Sequence, residues 1–104
     1  SWDQVDDVKA VLGWLDRNAE FNSSILAEES FYGWTLIYFG RANEDVKVIP
    51  YGAASSPMLA LKLALHEGFS RIYLIWYSEQ SFNDFEVVHS QNAISIFQYV
   101  PKVA

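Results

Sequence analysis

The stretch that decides the fold is residues 31–40 (FYGWTLIYFG), together with a second apolar run at residues 71–78 (RIYLIWYS). A strand with one solvated face alternates apolar and polar residues, and neither run does so. In the first run Trp34 and Leu36 would point to one side, and Ile37 and Phe39 to the other. Strands that are apolar on both sides are covered on both sides. These patterns predict two adjacent central strands of one antiparallel sheet.

A helix is predicted before the first run, over residues 2–19. Its apolar residues recur three and four positions apart, at Trp2, Val5, Val8, Leu12 and Leu15. This spacing is typical of one face of an α-helix, and Ser1 is a suitable N-cap for it. Residues 25–30 fit neither pattern clearly.

A hairpin is predicted after this helix. Strands over residues 32–39 and 46–51 flank a polar turn at residues 40–45. Two strands that are joined by a short polar loop usually pair in antiparallel fashion. The hairpin would place the first apolar run beside residues 46–51.

The clearest local signals mark a second helix, over residues 57–67. Ser55 or Ser56 can cap it, Pro57 suits its first position and Gly68 suits its end. Its sequence, MLALKLALHE, has only three strongly polar side chains. The pattern therefore predicts that most of this helix is buried, as the central packing element.

Three further strands are predicted over residues 72–78, 85–89 and 93–100, arranged as a meander. The whole chain, residues 1–104, is predicted to form one α+β domain of two helices on a mainly antiparallel four- to five-stranded sheet. The element order is α-β-β-α-β-β-β. We favour an arrangement with both helices on the same sheet face, which would leave tyrosines and tryptophans exposed on the other. The alternative is that the first helix covers the other face.

Composition narrows the functional classes. The chain has 13 acidic and 7 basic residues, a net charge of −6 and no cysteine. Direct binding to nucleic acid needs a basic surface, and the bases here are scattered. Without cysteine there is no disulfide and no thiolate metal site. No apolar run approaches the length of a membrane span. We expect a cytoplasmic protein, although the chain begins with Ser1 and a removed signal peptide stays open.

Few residues suggest chemistry. The small-residue turn that contains Gly52, Ser55 and Ser56 precedes a helix and could hold an anion through backbone N–H groups, although it lacks a P-loop lysine. His66 and His89 are the only histidines, and they lack the spacing of metal ligands. We therefore expect no catalytic residues, no metal and no cofactor.

The small size, the acidic balance, the many aromatic residues and the lack of a catalytic constellation favour a small acidic protein-binding module. We expect the inhibitor, immunity or antitoxin type, with a basic protein as its partner. The residues expected to contact the partner are acidic or aromatic: Glu28, Glu29, Glu44, Asp45, Tyr73, Tyr77, Asp84 and Glu86. Two alternatives remain. One is a homo-oligomer that pairs open sheet faces. The other is a small-molecule or anion-binding domain that uses the turn from Gly52 to Ser56.

Overall fold

The computed structural model describes residues 2–20, 22–40, 45–52 and 55–102. Within these residues the chain forms three helices and one sheet of five strands. In chain order the elements are α1 (Trp2–Asn18), β1 (Ser24–Glu28), α2 (Glu29–Phe39), β2 (Asp45–Ile49), α3 (Met58–His66), β3 (Ile72–Tyr77), β4 (Phe85–Gln91) and β5 (Ile94–Tyr99). The α+β class is confirmed, but the prediction of two helices and a mainly antiparallel sheet is wrong.

The first apolar run is a helix, α2, which corrects the predicted strand over residues 32–39. Its aromatic and branched residues favour a strand by local propensity. However, Phe31, Thr35 and Phe39 lie four apart and are all buried, which is the spacing of one helical face. The Thr35 hydroxyl donates to the Phe31 carbonyl oxygen at 2.8 Å. Packing against α1, β1 and β2 has thus overridden propensity.

The strand that pairs with the second apolar run is β1, in the segment that the sequence left ambiguous. All five of its residues are buried, and it pairs in parallel with β2 on one side and β3 on the other. The predicted antiparallel hairpin is therefore wrong. The intervening α2 is a crossover between two parallel strands, as a parallel pair requires.

The sheet order is β2-β1-β3-β5-β4, and this corrects the predicted meander. All three strands after α3 form where expected, but β5 lies between β3 and β4 and is antiparallel to both. The chain therefore leaves one strand position free between β3 and β4, and β5 then occupies this position by forming a hairpin with β4. The parallel half (β1, β2 and β3) and the antiparallel half (β4 and β5) meet at the β3–β5 pair.

The helices lie on both faces of the sheet, so the expectation that the first helix and the helix near residue 60 share a face is wrong. One core contains apolar residues of α1 and α2. The other contains Leu61 and Ala64 of α3. The connections β1-α2-β2 and β2-α3-β3 run across the sheet in opposite directions. Right-handed crossovers in opposite directions place their helices on opposite faces.

The helix α3 begins at Met58, one residue later than predicted, and it is far less buried than expected. Only Leu61 and Ala64 are buried, whereas Leu59 is 81% exposed. The reason is its position, since α3 contacts β1 and β2 at one side of the sheet. Beyond it, Phe82 packs edge-on against Trp76 and covers that face. No helix in the described ranges is both long and apolar enough to cross a bilayer.

Candidate functional site

The carboxyl ends of the three parallel strands meet at one edge of the sheet. β1 ends at Glu28, β2 at Ile49 and β3 at Tyr77. From this edge the chain leaves β1 into α2 on one face and leaves β2 towards α3 on the other. Open α/β sheets commonly bind ligands in the crevice where such connections diverge.

A crevice of about 180 Å³ lies at this edge. Its walls include Glu28 from β1, the turn after β2, the end of β3 and the segment that follows it. The lining residues that matter below are Glu28, Gly52, Ser55, Trp76, Tyr77 and Gln80. Tyr51 borders the crevice and is 76% exposed.

Glu28 is the unusual residue of this crevice. Only 2% of it is exposed. Its Oε2 accepts a hydrogen bond from the backbone N–H of Ser30 at 3.0 Å, which caps α2. Its Oε1 is also buried, and no described residue donates a hydrogen bond to it. Buried polar atoms nearly always have a partner, and leaving one without a partner costs about 1–3 kcal/mol.

The turn after β2 is held by its own hydrogen bonds. The backbone N–H of Ser55 donates to the Gly52 carbonyl at 3.0 Å, and the Ser55 hydroxyl donates to the carbonyl oxygen of Pro50. The Ser56 hydroxyl accepts from the Met58 N–H at 3.2 Å, so it caps the first turn of α3. Gly52 has a φ of 156°, a conformation that glycine tolerates best.

The structure brings together four of the residues that the sequence singled out. Glu28 and Tyr77 come from the predicted partner-binding set, and Gly52 and Ser55 from the predicted anion-binding turn. Ser56 lies next to them, in the wall of an adjoining pocket. The crevice therefore joins residues that the sequence had assigned to two different functions.

The other predicted partner-binding residues do not gather at one place. Tyr73 is 4% exposed and lies in the core under α1 and α2. Asp45 pairs with Lys47 and accepts from the Ser24 hydroxyl. Glu29 is exposed at the start of α2. Asp84 lies just before β4 and Glu86 lies on it, and β4 is the edge strand at the far side of the sheet from β2. Glu44 lies outside the described residues.

Sequence reasoning missed Gln80. It is a single polar residue after β3, and no local pattern distinguishes it. Trp76 belongs to the second apolar run, and nothing in the sequence marks it as part of a site. No group of three histidine, aspartate or glutamate side chains within the described residues could hold a metal ion. His89 instead stacks on Trp14, with ring centres 4.7 Å apart.

The chain matches no protein-family model, no curated protein and no solved structure. The chemistry of the crevice is therefore the basis on which a function can be proposed.

Proposed function

We propose that this protein is a small-molecule-binding domain, and that its ligand donates a hydrogen bond to Glu28 in the crevice at the carboxyl ends of β1 and β3. The observation that carries the proposal is the buried Oε1 of Glu28, which faces no donor among the described residues. A buried acceptor of this kind is costly in the free protein. A ligand with an N–H or O–H group would supply the missing partner.

The position of the crevice supports the same proposal. It lies at the ends of parallel strands, between a helix on each face, where binding residues from separate elements converge. Glu28 itself is held in place by the end of β1 and by its bond to the start of α2. Sites built on rigid elements present their groups in a fixed geometry, so little ordering is needed on binding.

The expectation of a basic protein partner stays a prediction. The acidic residues of this chain that were expected to contact the partner are spread over both edges of the sheet. The central strand β3 is buried on both faces. What favours a protein partner is the exposed apolar surface of α3, where Met58, Leu59 and Leu63 are 41%, 81% and 49% exposed. In the present proposal, Met58 and Leu59 belong to the wall of the pocket next to Glu28.

The test is a panel of small amines, alcohols, amides and carboxylates, screened by chemical-shift changes of backbone amides. We expect at least one class to shift the amides of Gly52, Ser55, Tyr77 and Gln80, and to leave the amides of β4 unchanged. Glu28→Gln should weaken that binding, because the amide offers a poorer acceptor. The variant should still fold, since its side-chain oxygen can accept from Ser30.

The matched control is Glu29→Gln. Glu29 is the next residue, carries the same charge and is exposed at the first turn of α2. It should leave ligand binding unchanged. The proposal fails if no class of compound shifts the crevice amides, or if the two glutamine variants affect binding equally.

A further inference from the structure

The crevice at Glu28 is smaller than most pockets that bury a whole small molecule. Its volume is about 180 Å³, whereas pockets that bury small molecules usually measure about 300–1,000 Å³. A second pocket of about 550 Å³ adjoins it and shares Tyr51, Gly52 and Ser55 as common wall. A ligand that reaches Glu28 therefore has room for a small head group there and a larger body outside.

The two compartments differ in chemistry. Glu28 lines the inner crevice, and no described lysine, arginine or histidine does so. The outer pocket is lined by apolar side chains of β2 and α3, including Ile49, Met58 and Leu59, with Lys62 in its wall. Tyr51, which is largely exposed, lines both compartments.

The negative charge of Glu28 decides which kind of ligand head group the inner crevice can bind. The N-terminus of α2 favours one negative charge nearby, and the Glu28 carboxyl group already occupies that position through its bond to Ser30. A second anion in the crevice would be repelled by Glu28. A cation would instead form a charge-assisted hydrogen bond with Oε1, which is stronger than a bond between neutral groups.

On these grounds, and provided that the crevice is the ligand site proposed above, we infer that the ligand is an organic amine. Its protonated amino group lies in the inner crevice and donates to Glu28 Oε1. Its apolar or aromatic body lies in the outer pocket against Tyr51, Met58 and Leu59. The anion expected from the turn at Gly52 would not fit this arrangement, because the Ser55 hydroxyl donates to Pro50 and Glu28 faces the same space.

The experiment uses four probes with the whole chain, and nuclear magnetic resonance titrations measure their affinity. They are 2-phenylethylamine, the neutral 2-phenylethanol, the anion phenylacetate, and n-butylamine, which lacks the ring. We expect a dissociation constant of the order of 1 mM for 2-phenylethylamine. 2-Phenylethanol should bind about five- to tenfold more weakly, and phenylacetate should give no shift of the crevice amides.

Two variants separate the compartments. Glu28→Gln should remove the preference for the amine over the alcohol and leave the affinity for the alcohol within about twofold. Leu59→Ser should weaken both ring compounds by a similar factor and weaken n-butylamine less, because its shorter chain buries less apolar surface. Leu59 is 81% exposed, so this variant should fold as the wild type does.

The outcomes also separate this inference from the proposed function. If 2-phenylethanol or phenylacetate binds the crevice as tightly as the amine, and Glu28→Gln weakens the bound compounds alike, the amine assignment is overturned while the ligand site remains. If none of the four probes shifts the crevice amides and the wider compound panel also fails, the ligand site itself is overturned.

Discussion

At the scale of single residues, Lys47 shows how charge stabilises the edge of the sheet. Its ammonium group lies 2.7 Å from a Glu67 carboxylate oxygen and 2.9 Å from one of Asp45, and its side chain is only 11% exposed. Burial lowers the pKa of Lys47, but the hydrogen bonds to Glu67 and Asp45 and the charges of both acids outweigh burial. The net pKa is raised above its ordinary value of 10.5.

The raised pKa of Lys47 predicts a pH dependence of stability. A group whose pKa is higher in the folded state stabilises it fully below the unfolded value, and this contribution is lost as pH rises through the folded value. We expect Lys47→Met to lower the free energy of unfolding by about 1 kcal/mol near neutral pH. The difference from the wild type should shrink towards zero well above pH 10.5.

Urea denaturation of both proteins across this pH range checks the prediction. Lys62→Met is the control, because Lys62 is exposed on α3 and no ion pair of it occurs among the described residues. A difference for Lys47→Met that stays constant from neutral to strongly alkaline pH would show that lost packing, and not charge, is responsible.

Single residues of the site could be found from the sequence only in part. Gly52 and Ser55 were flagged because small residues before a helix indicate a tight turn. Glu28 was flagged as a surface acid, yet it is almost fully buried. Its burial follows from β1 and α2 meeting at this residue, and the sequence had placed neither element there. Gln80 could not be found, since only the sheet order brings it near Glu28.

At the scale of elements, α2 is where local and tertiary preferences conflict. Gly33 gives a direct test, because it is exposed within α2 and a Cβ added there would meet nothing within 4 Å. In a helix alanine is more stable than valine, and in a strand the order is reversed. We expect Gly33→Ala to raise the free energy of unfolding by about 0.5–1 kcal/mol.

Gly33→Val should then be less stable than Gly33→Ala by about 0.5 kcal/mol. Thermal and chemical denaturation of the two variants and the wild type measure this order. A valine variant that is more stable than the alanine variant would mean that residues 31–39 form the strand that local propensity favours.

Two helices, α1 and α3, were located correctly because each carries a clear local signal. In α1 the spacing of apolar residues matches a helix, and in α3 the residues around it mark both ends. Gly68, just past α3, has a φ of 95°, and the Phe69 N–H donates to the Ala64 carbonyl at 3.0 Å, as in a common helix ending. In α2 apolar residues occupy most positions on every side of the helix, so their spacing does not distinguish a helix from a strand. The structure of this segment therefore depends on what surrounds it.

At the scale of the whole molecule, burial of the second apolar run on both faces was predictable, and the arrangement of the elements was not. The run at residues 71–78 is indeed covered on both sides, with Tyr73 and Ile75 in one core and Ile72, Leu74 and Trp76 in the other. The number of helices and their division between the two faces depend on β1 and α2, and the sequence predicted neither element. The homo-oligomer alternative stays a prediction, but these strands leave it no open face.

Burial of β3 on both faces makes it the element whose loss should damage both cores alike. Leu74 faces the α3 side and Ile75 the α1 and α2 side, and each is 0% exposed. We expect Leu74→Ala and Ile75→Ala each to lower the free energy of unfolding by about 2–5 kcal/mol. Val87→Ala, at a position 53% exposed on β4, should cost less than about 1 kcal/mol.

The two cores should also unfold together, because both pack on one sheet. Tryptophan fluorescence and far-ultraviolet circular dichroism should therefore report a single coincident urea transition in every variant. If either β3 variant were as stable as Val87→Ala, or if the two signals separated, one face of β3 would not be the packed core that the structure describes.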